Sequence, residues 1–499
     1  MLHIFIAAHL LGRRVMCNKP FFIHYDPPKG GFFVFMGKDE RLRPLLIGET
    51  RVINYVLAVS SDGPLGKIGQ RLLVVGNSSA ALVEGAISPA PASRYDQFDS
   101  GSQMLPFCPN GATLVVQMPE DALTPEGVMV AQSMFELAKS SLAQLGIVRD
   151  VVVEFVPNAH DFAISATLDN PTAILPLFPS TRLFGDHEAA VAAAKFNNKP
   201  NFLQLVDDLS GGGLKLCTPV TFTFNENQYP SGFPSVDDLI DLARLNGSDA
   251  IYFKQNVSAG GFGVEKAQVD DKNNAAVLYD KWLERMRKEK EKGSTEWDFH
   301  IQLGVPSPKE LNGTVESPCI IAVIDTNKNG CRPRILQVAQ QRLDHGTHHV
   351  GNVIDPEYER RFVSQYEFEL YAVLNALAEN GVRGHGGLDV VVSDSGELYF
   401  IEFNPRLNGN SRVRILRDYL PYDTVITTNN TIKLSKQNIS VMEELRQYFY
   451  DPGQPDRPAL AITRFPRFAG DPIGFDFIND RFGHLEEGVI RLMNSALVE

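Results

Sequence analysis

The segment 386–406, GGLDVVVSDSGELYFIEFNPR, constrains the fold more than any other stretch of the chain. Two runs of β-branched and aromatic residues flank Ser395-Gly396, the pattern of a β-hairpin. Centred on that turn, the hairpin sets Asp389 directly opposite Glu402, and alternation divides the other side chains between two faces. One face carries Leu388, Val390, Val392, Tyr399, Ile401 and Phe403, is wholly apolar, and is the expected core face. The other carries Val391 and Phe400 near the turn and gathers Asp389, Glu402 and Asn404 at the far end. Two carboxylates opposed at about 5 Å repel, and a sheet keeps such a pair only where something compensates. A divalent cation is the natural compensation: two acids and an amide carbonyl make an all-oxygen set suited to Mg2+ shared with substrate phosphates. The alternative, acids that point to water, is opposed by Arg406, which places a guanidinium beside them two residues after Asn404. Arginine grips a phosphoryl group or carboxylate through two parallel hydrogen bonds.

Upstream, a strand over 250–254 (AIYFK) ends on Lys254 and runs into QNVSAGGFGV. Gly260, Gly261 and Gly263 there let backbone N–H groups approach an anion, while the lysine supplies a point charge, a combination that suits a polyphosphate. A glycine-rich hairpin turn looks the same, so the loop does not decide by itself. It matches neither the Walker A loop nor the GxGxxG fingerprint.

Around these centres the chain alternates strands and helices. LLVVG at 72–76 and TLVVQ at 113–117 read as strands, the Pro/Ser-rich 88–93 as a loop, and 126–145 as a helix with apolar spacing through Val128, Met134, Leu137 and Leu142. VVVEFV at 151–156 is an apolar strand of the parallel-sheet kind. Asn198-Lys199-Pro200 offers a cap and a first-turn proline for an amphipathic helix ending at Gly211-Gly212-Gly213. A strand over 218–224 and a helix over 235–246, capped by Ser235, follow. The charged stretch 280–292 reads as a solvated helix face.

Composition bounds the function classes. At about 150 residues per domain, 499 residues make roughly three units. The balance of 47 Lys+Arg against 60 Asp+Glu leaves −13, the wrong sign for a nucleic-acid footprint. Cys17, Cys108, Cys217, Cys319 and Cys331 form no CxxC pair, which argues against a zinc ribbon or disulfide framework and for a reducing compartment. No run approaches the roughly 20 apolar residues of a membrane helix, and in MLHIFIAAHLLGRR the arginines follow the apolar run, against the order of a secretory signal. A cytoplasmic location is expected. His345, His348 and His349 cluster without an acid or cysteine at zinc spacing, so loop packing or substrate contact is the default for them. Arg342 is open between gripping a carboxylate and a surface ion pair. Hydrolase motifs of the GxSxG and HExxH types are absent.

The D-x12-E-x-N-x-R array of Asp389, Glu402, Asn404 and Arg406 resembles that of the ATP-grasp enzymes, and the likeness extends over roughly 195–415. Helix 365–379 followed by GVRGHGGLDVV, and the Thr-Pro step before 220–224, resemble the family's layout. The resemblance implies an α/β fold with α+β lobes, an ATP-grasp fold preceded by an α/β pre-ATP-grasp domain. Its divisions are 1–194, the N-terminal α/β domain; 195–300, a lid or central lobe with the glycine-rich loop; 301–441, the metal-binding lobe; and 442–499, an extension that either completes that lobe or covers the acceptor site. It implies that Asp389, Glu402 and Asn404 bind Mg2+, that Arg406 and Lys254 are catalytic, and that Lys199, Lys254, Ser258, Gly260, Gly261, Gly263 and Gln302 bind ATP. Lys199 resembles the first phosphate lysine, with Lys195 as its substitute. Gln302, in DFHIQLGV, stands where the family usually carries a glutamate that meets adenine and ribose, which leaves the ribose contact open. The whole layout resembles peptide ligases of the pheganomycin type.

The implied activity is that of an ATP-dependent carboxylate–amine ligase forming a peptide or amide bond through an acyl phosphate, with release of ADP and phosphate. ATP and Mg2+ are the implied cofactors, and small-molecule or peptide carboxylates and amines the implied partners; neither nucleic acid nor membrane is expected, and homo-oligomer formation is open. The alternatives are an ATP-grasp kinase or thioester-forming synthetase, and a catalytically degenerate nucleotide-binding regulatory protein.

Overall fold

Strand pairing organises the molecule. The computed structural model describes most of 101–495 and, before that, the strands Phe21–Asp26, Gly31–Met36 and Leu72–Val75; the expected loop at 88–93 lies outside the described residues. Three sheets carry the architecture, with two small hairpins besides them among the described residues.

The first sheet is parallel throughout, in the order Val151–Val156, Ala112–Gln117, Leu72–Val75, Ala173–Pro176. Its apolar strands meet the expectation of a parallel α/β unit, because such strands are covered on both faces by crossover helices. The helix Pro125–Gln144 is one of them: the Thr124 hydroxyl accepts from the Gly127 N–H, Pro125 begins the first turn, and Met134, Phe135, Leu137 and Leu142 are buried.

The second sheet is antiparallel, in the order Thr221–Asn225, Glu296–Leu303, Ala250–Gln255, Val264–Gln268. Strict alternation makes it two-faced. Ile251, Phe253, Phe299, Ile301 and Leu303 pack beneath the helices Val236–Leu245 and Lys272–Glu291. Tyr252, Lys254, His300 and Gln302 occupy the other face, since register pairs His300 with Lys254 and Gln302 with Tyr252. The first strand starts at Thr221, three residues later than expected, because Pro219 lacks the N–H a ladder needs. Ser235 forms a full capping box with Asp238, as its position before an apolar run implies. The charged helix buries Trp282 and Met286 and turns Lys281, Arg287, Lys288 and Glu291 outward.

The third sheet has eight antiparallel strands: Leu398–Asn404, Gly384–Val392, Pro318–Asn327, Gly330–Asp344, His348–Ile354, Val425–Lys433, Pro472–Ile478 and Ala459–Arg464. One of its faces packs on the helices Lys199–Gly211 and Pro356–Glu379. The latter begins nine residues before the expected 365, started by Asp355 and Pro356 and passing a local irregularity at Tyr366. The last two strands come from the C-terminal extension and bury Phe465, Phe475 and Phe477 in one core with Phe135, Leu137 and Leu142 of the N-terminal helix. The C-terminal segment therefore completes the large sheet and ties it to the parallel one. Among the described residues, no helix is long and apolar enough to cross a membrane.

Candidate active site

The carboxylate hairpin has the expected register where it matters. Gly387 pairs with Asn404, Leu388 with Phe403, and Asp389 with Glu402. The turn closes between Ser393 and Glu397, with Gly396 at φ +80°, a left-handed conformation that favours glycine. Between the acids and the turn a β-bulge shifts the pairing by one, so Val390 lies opposite Phe400. The core face consequently consists of Leu388, Val390, Val392, Leu398, Phe400 and Phe403. This corrects the simple alternation, which put Tyr399 and Ile401 inward and Phe400 outward: the bulge inverts the side-chain direction beyond Ile401 while leaving Glu402 and Asn404 on the acid face.

Donors from three elements compensate the two carboxylates. Asn404 Nδ2 donates to Asp389 Oδ2 (3.1 Å) and to Glu402 Oε1 (3.0 Å), and Gln341 Nε2 donates to Asp389 Oδ1 (2.9 Å). Lys199 Nζ stands 3.1 Å from Glu402 Oε2, an ion pair whose lysine is almost wholly buried. Arg406 Nη2 donates to Asn404 Oδ1 at 3.0 Å. Burial, then the charge of Glu402, push the Asp389 carboxyl well above its usual range. Burial works on Glu402 in the same sense, but Lys199 and the hydrogen bonds from Asp389 and Asn404 outweigh it and hold Glu402 low. One proton shared by two opposed acids is the state expected of this pair without a cation. Asp389, Glu402, Asn404 and Gln341 together offer only oxygen ligands, a donor set that fits a hard cation such as Mg2+. Among the described residues no group of three or more His, Cys, Asp or Glu is placed to hold a metal.

Lys199 reaches the acids because its helix is started in register by the Asn198 side chain, which accepts from the Asn201 N–H, and because the Lys199 N–H donates to the Asn256 carbonyl at 2.9 Å. Lys195, the substitute, lies in the last turn of the preceding helix with its ammonium over the Phe196 ring. Lys254 extends from the polar face of the second sheet and donates to Gln302 Oε1 at 2.5 Å; Gln302 Nε2 in turn donates to Thr221 Oγ1. Burial lowers the Lys254 ammonium to about 8, an effect opposed by Glu402 and reinforced by Lys199. Gly263 has φ +72°, and a Cβ there would collide with the Gln255 side chain. Ser258, Gly260 and Gly261 lie outside the described residues, as does His345.

Two participants escape sequence reasoning. Gln341 comes from a strand three places from Glu402 in the sheet, a proximity that only long-range pairing reveals. His300 is fully buried, with Nδ1 2.8 Å from Asn256 Oδ1, and burial followed by the charges of Lys254 and Lys199 keeps its ring neutral. Arg342 is engaged with Thr428 Oγ1 at 2.6 Å, and His349 with Asn352 at 3.0 Å.

Two lysines, two opposed acids, two amides and an arginine thus meet around the end of the hairpin. Residues 318–410, which include every member of the hairpin site except the two lysines, match the family model described as the ATP-grasp domain. The protein thus carries an ATP-grasp domain, within an α/β fold in which a parallel sheet precedes it. No curated protein matches the chain. Among solved structures it is similar to the L-amino acid ligase from Bacillus licheniformis, at 12% identity over 85% of this chain and 96% of that one, with a TM-score of 0.43. It is also similar to biotin carboxylase from Campylobacter jejuni, at 11% identity over 82% of this chain and 87% of that one, with a TM-score of 0.42. For N5-carboxyaminoimidazole synthase from Aspergillus clavatus, solved with ADP and 5-aminoimidazole ribonucleotide, identity is 10% over 86% of this chain and 98% of that one, with a TM-score of 0.38.

Proposed function

We propose that the protein is an ATP-dependent carboxylate–amine ligase that activates its carboxylate as an acyl phosphate. The observation that carries this reading is the meeting of Lys199, from a helix, with the opposed pair Asp389 and Glu402, one hydrogen bond away from the Asn404–Arg406 couple. Phosphoryl transfer needs positioning and charge neutralisation more than covalent help, and this set supplies both.

In this reading Lys199 and Lys254 hold phosphate oxygens. Asp389, Glu402, Asn404 and Gln341 hold Mg2+, which when bound neutralises charge on the transferring phosphoryl group. Arg406 grips the carboxylate to be activated. One carboxylate oxygen attacks the terminal phosphorus of ATP, the bond to the bridging oxygen breaks, and ADP leaves. The amine then attacks the acyl carbon, loses a proton, and expels inorganic phosphate to leave an amide. Residues 195–300 act as the lobe bearing Lys254 and the glycine loop, 301–441 as the lobe bearing the acids, and a cytoplasmic setting suits both substrates and free thiols.

Oxygen-18 tests the intermediate. With carboxylates labelled in both oxygens, an acyl phosphate delivers one labelled oxygen into inorganic phosphate as the amide forms; label appearing in AMP or in water instead contradicts it.

A further inference from the structure

Next to the acid hairpin, the same face of the eight-stranded sheet carries a row of uncharged polar side chains that begins at Gln341 and leads away from the acids. Register sets the row: Gln341 pairs with Asn352, Asn352 with Thr427, and Asn429, two residues on, with Asp476. Side chains of directly paired residues share a face about 5 Å apart. The row therefore starts at Gln341, whose amide touches Asp389, and extends roughly 10–15 Å across the sheet.

Three buried atoms along it have no hydrogen-bond partner: Asn352 Nδ2, Thr427 Oγ1 and Asn429 Oδ1. Asn352 and Thr427 are fully buried. A buried polar group left unpaired costs about 1–3 kcal/mol, and folded proteins keep few of them. A donor, an acceptor and a hydroxyl able to do both, gathered in one row, mark a place built to hydrogen-bond something else. The surroundings are electrically balanced. Arg412 donates to both oxygens of Asp476 at 2.7 and 2.8 Å, so the nearby cation and anion neutralise each other. His349, held neutral by burial, bridges Asn352 and Asn429. A charged headgroup would find no countercharge here, whereas a peptide-type amide finds both a donor and acceptors.

We propose that this row, centred on Asn352, Thr427 and Asn429, binds the second substrate of the nucleotide site and selects a molecule carrying a peptide-type amide. This rests on the ligase reading, and the two separate by experiment. The probe is a pool of dipeptides beside their free amino acids, observed by saturation-transfer NMR on the full chain with Mg-ADP. Dipeptides are expected to bind, and the shape-preserving variants Thr427→Val and Asn352→Leu to weaken them about tenfold each. Both variants should keep the wild-type thermal shift with Mg-ADP; Thr427→Val should melt at or above the wild-type temperature, and Asn352→Leu, which also breaks the bond to His349, below it. Binding of free amino acids only, binding of neither, or dipeptide binding indifferent to both variants overturns the proposal. Dipeptide binding without ADP formation from ATP and any amine overturns the ligase reading and leaves the peptide site standing.

Discussion

At the scale of the residue, charge placement decides what the site can do. Glu402 is the acid held ionised by Lys199, and Asp389 the one pushed toward protonation. Replacing Glu402 by Gln removes the ligand charge a cation meets first, and its cost should be at least the tenfold to hundredfold in metal affinity seen for outer-shell losses. The check is thermal shift: Mg2+ is expected to add little to stabilisation by ATP in the variant and much in the wild type. Lys254 gives a pH signature. Its ammonium titrates near 8 in the folded chain against an ordinary 10.5, so as pH rises through about 8 the site loses a positive charge and nucleotide affinity should fall. Stability moves the other way. Above that pH the unfolded chain binds a proton that the folded chain does not, so the burden of burying a charged lysine is relieved as pH climbs toward 10.5. Titration of nucleotide affinity should show the step in wild type and a flat profile in Lys254→Met. The acids, the lysines and Arg406 were legible in the sequence because hairpin register and strand ends are local properties. Gln341 and His300 were not, since neither is brought near by anything within its own segment.

At the scale of the element, small residues let the acid hairpin seat the helix that follows it. A Cβ on Gly387 would stand 2.2 Å from Asn408 Nδ2, and Asn408 caps the helix Gly409–Tyr419 through a box with Ser411. Gly387→Ala should therefore displace the cap, lower stability by about 1–3 kcal/mol and disturb Asn404, which pairs with Gly387 in the ladder. Calorimetry on the variant reads the loss, and an unchanged melting temperature would mean that Asn408 moves aside without penalty. Element types and cap positions followed from local signals at Asn198 and Ser235, each of which starts a helix. The bulge near Ile401 did not follow, because period-two alternation has no term for an inserted residue. The early start of the helix Pro356–Glu379 was missed for another reason: its first turns, PEYERRF, are polar except at Tyr358 and Phe362, whose burial depends on partners from distant strands.

At the scale of the whole molecule, the C-terminal segment binds the N-terminal parallel sheet to the eight-stranded one. Arg467 is its buried rivet, donating to Asp471 Oδ2 through Nε (2.8 Å) and to the Gln117 carbonyl of the parallel sheet through Nη1 (2.8 Å). Arg467→Ala leaves Asp471 buried with Arg464 3.6 Å away as its remaining ion-pair partner, and should cost on the order of 3–5 kcal/mol. Chemical denaturation measures that cost, and a loss below about 1 kcal/mol would show that the two sheets are held by their apolar contacts alone. None of this was readable from 442–499 taken alone, because its partners lie outside it, in Val425–Lys433 and, some three hundred residues upstream, in the N-terminal helix. The central claim is chemical, and nucleotide product analysis tests it most directly: full-length protein with Mg-ATP and a pool of amino acids and short peptides, chromatographed for nucleotides and new masses. ADP, phosphate and a mass equal to two substrates less one water are the predicted outcome; AMP and pyrophosphate would mean adenylation and would contradict the acyl-phosphate account.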